Sequence, residues 1–159
     1  MDGAMALAIT ISFHKAGLSK TNSRLNIVSV IEKINRSGWA DWSFSDFHID
    51  YENVSIKLTY FSDSIERPDI SATIICHNFI GFSFIGHWDE NIIEDINIAP
   101  MGDLITNSLQ EIKHLNGDPP IPSLGGGIKK VDNQYYQLNI KMIDGNVIKV
   151  ACESFEFKM

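Results

Sequence analysis

The residues of this chain that could do chemistry are few and widely spaced. His48 lies between Asp46 and Asp50, and a strand there would put all three on one face, an Asp-His-Asp row able in principle to pass a proton. His77 and His87 flank a possible hairpin, with Cys76 beside the first and Cys152 far off in sequence. Asp89-Glu90 and Glu94-Asp95 are adjacent carboxylates, and Gly125-Gly126-Gly127 precedes Lys129-Lys130.

Each set has a plainer reading. Zinc wants about four ligands in paired spacing, and the chain has neither CxxC nor HxxxH; Cys76 and His77 would face opposite ways on a strand. Neighbouring carboxylates on a strand also point apart, whereas glycosidase chemistry needs two facing each other across a cleft. The triple glycine lacks the Lys-Ser/Thr of a phosphate loop and runs into a strand-like segment. The Asp-His-Asp row reads more simply as the solvated face of a half-buried strand. No nucleophile sits beside a base and an orienting acid. The expectation is a protein that is not an enzyme and needs no metal or cofactor.

Charge is the more informative feature. From Pro68 to Ile112 there is no lysine or arginine, yet the window holds Asp69, Asp89, Glu90, Glu94, Asp95, Asp103 and Glu111. Those seven acids account for the whole formal charge of −7. Negative charge segregated in this way attracts basic partners and disfavours nucleic acid, which requires a basic stripe. Tryptophan beside carboxylates has the composition of an interaction hot spot, as at Trp88 next to Asp89-Glu90. Trp39, Trp42 and Phe44, near Asp41 and Asp46, fit a hot spot and a core edge equally well.

The elements that must position these residues follow from periodicity. Ala6 to Phe13 is an apolar, partly β-branched run that reads as a strand. A helix is expected over about 24–36, with Ile27, Ile31 and Ile34 on one face and Gly38 ending it. The pattern then alternates. Phe47, Ile49 and Tyr51 share a face, and Val54, Ile56, Leu58 and Tyr60 point inward on the next strand. Ile70 to His77 and Phe79 to Trp88 are more apolar than alternating and are expected in the middle of a sheet, followed by a segment at 92–98. Asp103 caps a second helix to Leu115, with Ile105, Leu109 and Ile112 as its stripe. Asn116 to Gly127 is a proline–glycine loop long enough to have a purpose. Asp144-Gly145 joins a closing hairpin.

The expected fold is one α+β domain over residues 1–159, a single predominantly antiparallel sheet with about two helices. Residues 1–5 read as non-native or disordered, with Met5 a candidate start. No signal peptide is evident and no stretch reaches the ~20 apolar residues of a membrane span, so a cytoplasmic protein is expected, with Cys76 and Cys152 reduced and buried.

The run Trp42-Ser43-Phe44-Ser45-Asp46-Phe47-His48-Ile49-Asp50-Tyr51-Glu52, a strand, and then Ile75-Cys76-His77-Asn78-Phe79-Ile80-Gly81 resembles small bacterial immunity proteins of polymorphic and contact-dependent toxin systems. The likeness covers roughly residues 39–99. It implies a cytoplasmic, non-enzymatic protein, monomer or homodimer, that occludes a cognate toxin domain, often a basic nuclease. The toxin-facing residues expected on this reading are Trp88, Asp89, Glu90, Glu94, Asp95, Asp103, Asp46 and Asp50. Two other classes stay open: a small-molecule binder or enzyme with its pocket between sheet and helices, and an assembly subunit whose acidic face packs on identical copies.

Overall fold

The computed structural model describes residues 26–85, 91–116 and 133–159. The expected strand at 6–13, His87, the Trp88-Asp89-Glu90 cluster and the loop to Gly127 lie outside the described residues. The chain forms helix α1 (26–36), strands β1 (Ser43–Ile49), β2 (Asn53–Tyr60), β3 (Ile70–His77), β4 (Gly81–Ile85) and β5 (Ile93–Ala99), helix α2 (Asp103–Asn116), then β6 (Tyr136–Met142), β7 (Val147–Cys152) and β8 (Ser154–Lys158). This is an α+β fold, antiparallel throughout its ladders.

The strands make two sheets rather than one, ordered β1-β2-β3-β8 and β4-β7-β6-β5. The division is a corner in two long paired strands. Asn78 takes a left-handed φ of 53°, which turns the chain between β3 and β4, and Glu153 makes the matching break between β7 and β8. The ladder continues around the bend, because Glu153 N–H donates to His77 O at 3.0 Å and Ile80 N–H to Ala151 O at 2.7 Å. Strands that switch sheets through such bends let one hairpin serve both layers. Nothing in the apolar pattern of 70–88 marks a corner, so a single sheet was the natural reading.

The inner faces of both sheets meet in one core. Val54, Ile56 and Leu58 of β2 and Ile74 and Cys76 of β3 pack with Ile96, Leu138, Ile140 and Val150 of the second sheet. Bulges keep the apolar side chains inward where the alternation slips: between Ile93 and Asp95 the register shifts, so Glu94 and Asp95 both lie outside while Ile93 and Ile96 are buried. β3 is interior, as expected for an apolar run, but β4 is a sheet edge. Its apolar character has another cause. Phe82 and Phe84 face the core opposite Val150 and Ile148, while α2 covers the other side so closely that a Cβ on Gly81 would meet Ser108 Oγ and Leu104.

Helix α1 lies across from β8 to β5. Ile34 is fully buried, Trp39 Nε1–H donates to Ile34 O at 2.8 Å, and the Trp39 ring meets Phe157 of β8 edge-on at 5.9 Å. Trp39 and Trp42 are 2% and 8% exposed, which assigns that aromatic group, with Phe44, to the core. At β5, Asn35 acts like a strand residue: its amide donates to Ile98 O at 3.0 Å and its oxygen accepts Ile98 N–H at 2.7 Å. One side chain thus satisfies both backbone groups of an edge position that α1 covers.

Replacing Asn35 with Ala strands both groups against the helix. The expected loss is about 1–3 kcal/mol of unfolding free energy, together with faster exchange of the Ile98 amide. Chemical denaturation and amide exchange of Asn35→Ala against the wild type measure both.

Candidate partner-binding surface

Strand register decides where the expected acids lie. Ser43 at the start of β1 is the middle of a rung, paired with Thr59 on β2 and bridged to Ile92 on the other side. Next along, Ile93 N–H donates to Trp42 O at 2.7 Å, and the Trp42 ring meets Tyr60 at 5.8 Å. β1 and β5 are antiparallel at this bridge, so they leave it in opposite directions.

Glu94 and Asp95 therefore run toward the end of the molecule that holds Asp41, Tyr60 and the β2–β3 loop. Asp46, His48 and Asp50 run toward the opposite end. Asp46 and His48 do share the outer face of β1, opposite Lys57 and Ser55 of β2. Asp103 belongs to neither group, since it starts α2 beyond the far end of β5.

Several of these carboxylates are already engaged. Asp50 Oδ1 accepts the backbone N–H groups of Glu52 at 2.8 Å and Asn53 at 2.7 Å, and those two bonds, Glu52 first, hold its pKa below the usual carboxylate value. It builds the β1–β2 turn that leaves Tyr51 exposed. Asp103 is held more firmly. Lys149 Nζ lies 2.6 Å from its carboxylate and Gln137 Nε2 donates to it at 3.1 Å, and these bring its pKa down to about 2, with Lys149 the larger cause. Gln137 Oε1 in turn accepts Leu104 N–H at 2.9 Å, so the pair caps α2. Glu94 makes an exposed ion pair with Lys141 at 2.7 Å, the kind worth about 0–1 kcal/mol. Among the described residues, Asp95 meets only the Asn97 amide, at 3.4 Å.

At the corner, Glu153 accepts from Asn78 Nδ2 at 3.1 Å and Asn133 Nδ2 at 2.6 Å. Burial, reinforced by the Glu153 charge, pushes Tyr135 up to about 12. Cys76 and Cys152 are both free and fully buried here, and burial drives the Cys152 thiol well above its ordinary value, leaving it a poor nucleophile at neutral pH. His77 Nδ1 sits 2.8 Å from Asn53 Oδ1, and among the described residues no three His, Cys, Asp or Glu side chains converge as a metal site. A cleft of about 460 Å³ opens between the start of α2, β4 and the β6–β7 turn, lined by polar groups including Ser83, Asn107, Asn146 and Lys149.

What the sequence did not mark is the exposed apolar surface around the β2–β3 loop. Tyr60, expected inward, is 36% exposed; Phe61 and Ile70 are 58% and 47% exposed, and Ile65 is wholly in solvent. Loop composition gave no sign that these residues would stay uncovered. No helix among the described residues is long and apolar enough to cross a membrane.

Because the pKa of Asp103 is depressed, its ionised form stabilises the fold above about pH 3.8, and that contribution is lost as pH falls toward about 2. Asn keeps a hydrogen-bonding side chain beside Gln137 but removes the charge. The stability difference between wild type and Asp103→Asn is therefore expected to be full at neutral pH and to vanish across that acid window in denaturation midpoints taken against pH.

No protein-family model and no curated protein matches the chain. A solved structure, the crystal structure of an uncharacterized protein from Neisseria gonorrhoeae, is similar at a TM-score of 0.43 and 13% identity, over 77% of this chain and 94% of that one. A likeness at that level carries no argument about function.

Proposed function

We propose that this is a cytoplasmic, non-enzymatic immunity protein that binds and neutralises a basic toxin domain through its acidic surface. The observation that carries the reading is the placement of Asp41, Glu94 and Asp95 at the end of the molecule that also exposes Tyr60 and Phe61. Exposed carboxylates beside apolar side chains combine the two things a tight protein inhibitor uses. Opposed charge raises the association rate, to ~10⁸ M⁻¹s⁻¹ or more at low salt, and penalises wrong partners. Desolvated apolar contacts then slow release.

The described acids divide by role on this reading. Asp50 and Asp103 are occupied in building a turn and a helix cap, so they serve the fold. Glu94 and Asp95, exposed by a bulge and held among the described residues by a surface ion pair and one long hydrogen bond, are available to meet a partner's cations. Asp46 lies in the middle of β1, opposite Lys57, and extends the negative field.

The cleft between α2, β4 and the β6–β7 turn favours one alternative, a small-molecule binder, since its volume falls in the range of ligand pockets. Its mixed polar lining and the Lys149–Asp103 ion pair across it argue for a weaker, polar ligand.

The test uses the protein encoded immediately upstream, where resemblance to immunity proteins places the toxin. Wild type is expected to bind it tightly, with affinity falling as salt rises. Glu94→Lys with Asp95→Lys is expected to slow association by about tenfold or more and to flatten the salt dependence, with melting temperature nearly unchanged. Equal affinity and an equal salt slope for the double variant would move the interface away from β5.

A further inference from the structure

The β2–β3 loop and the two strand residues that flank it carry four exposed apolar side chains, Tyr60, Phe61, Ile65 and Ile70. Tyr60 and Ile70 face each other across the last β2–β3 rung, Phe61 follows, and Ile65 stands fully exposed at the tip. Exposed apolar side chains gathered in a patch with a polar rim are a mark of an interaction site. The patch also has a rigid base. Tyr60 packs on the buried Trp42 ring, which itself meets Trp39 at 5.3 Å, so the loop is anchored to the core.

The loop is held in shape by its own polar groups. Ser62 N–H donates to Asp69 Oδ1 at 3.0 Å, closing the base, and Arg67 N–H donates to Ser64 O at 3.1 Å, forming the turn that presents Ile65. A loop already ordered loses little entropy on binding. Its charge is one-sided: Asp63, Glu66 and Asp69 against Arg67, with Asp41 in the turn before β1 and Glu94 and Asp95 on β5 at the same end.

We propose that the β2–β3 loop is the apolar anchor of the interface, inserting Ile65 and Phe61 into a hydrophobic pocket of a protein partner whose rim is lysine- and arginine-rich. The inference rests on the immunity reading and adds the part of the surface that carries the binding energy. A second copy of this chain fits poorly, because apposing two such loops would bring like charges together. A membrane surface fits poorly for the same reason, since anionic headgroups repel the flanking carboxylates.

The experiment measures association and dissociation rates of the purified upstream-encoded protein with wild type, Ile65→Asp, Phe61→Ser and two control variants, Met101→Ser and Leu115→Ser. The controls remove exposed apolar side chains elsewhere. The expected result is a dissociation rate raised on the order of 30-fold or more for Ile65→Asp and Phe61→Ser, with the salt slope retained and both controls unchanged. Wild-type binding that neither loop variant alters overturns the anchor while leaving the immunity reading intact. Absence of wild-type binding overturns the immunity reading itself, and the anchor with it. Sedimentation of the free protein completes the test: a wild-type dimer dissolved by Ile65→Asp would make the loop a contact between copies and overturn the proposal.

Discussion

The corner where β3 turns into β4 and β7 into β8 is the constraint on which the rest of the structure depends. Two long strands stay hydrogen-bonded through the bend, so the sheets need no separate pairing to find each other. What holds the bend is electrostatic as well as steric. Asn78 accepts a left-handed conformation more readily than most residues, and its amide donates to the Glu153 carboxylate across the break. Asn133 bonds the same carboxylate, and Tyr135 feels its charge, so three side chains from β-linked segments converge on one half-buried anion. Beneath it lie the two thiols, sealed from solvent.

From that corner the two sheets open over a shared core, and each remaining edge has its own treatment. The β8 and β5 edges are spanned by α1 through Trp39, Phe157 and the Asn35–Ile98 pairing. Lys33 lies 4.9 Å from the Phe157 ring centroid and adds a cation–π contact at the same junction. Between β1 and β4 the core is finished by rings instead. Phe47 stacks with Phe82 at 5.8 Å and Phe84 at 6.0 Å, leaving Phe47 part-exposed at the boundary. At the β2–β3 end, no described element covers Tyr60, Phe61 and Ile65.

Division of labour among the carboxylates follows from the same geometry. A carboxylate that accepts backbone N–H groups, as Asp50 does, or sits against a lysine and a glutamine, as Asp103 does, is committed to the fold. Glu94 and Asp95 escape that role because a bulge turns two successive side chains outward, which a regular strand cannot do. A local irregularity of the ladder thus puts two successive carboxylates on the outer surface.

Much of this was legible in the sequence because it is local. Alternation in 47–60 places Val54, Ile56 and Leu58 inward, Asp144-Gly145 makes the hairpin turn with Gly145 at a φ of 88°, and Asp103 opens the second helix. Segregation of negative charge is likewise a property of composition alone. Tertiary structure decided the rest, since it depends on partners remote in the chain. Trp39 is core because it packs on Phe157 of β8, and Asp103 is clamped at the start of α2 by Lys149, 46 residues away. Tyr60 and Phe61 stay exposed because no element covers the β2–β3 end among the described residues. Periodicity records which way a side chain points from its own strand; only the folded chain determines whether anything waits on that side.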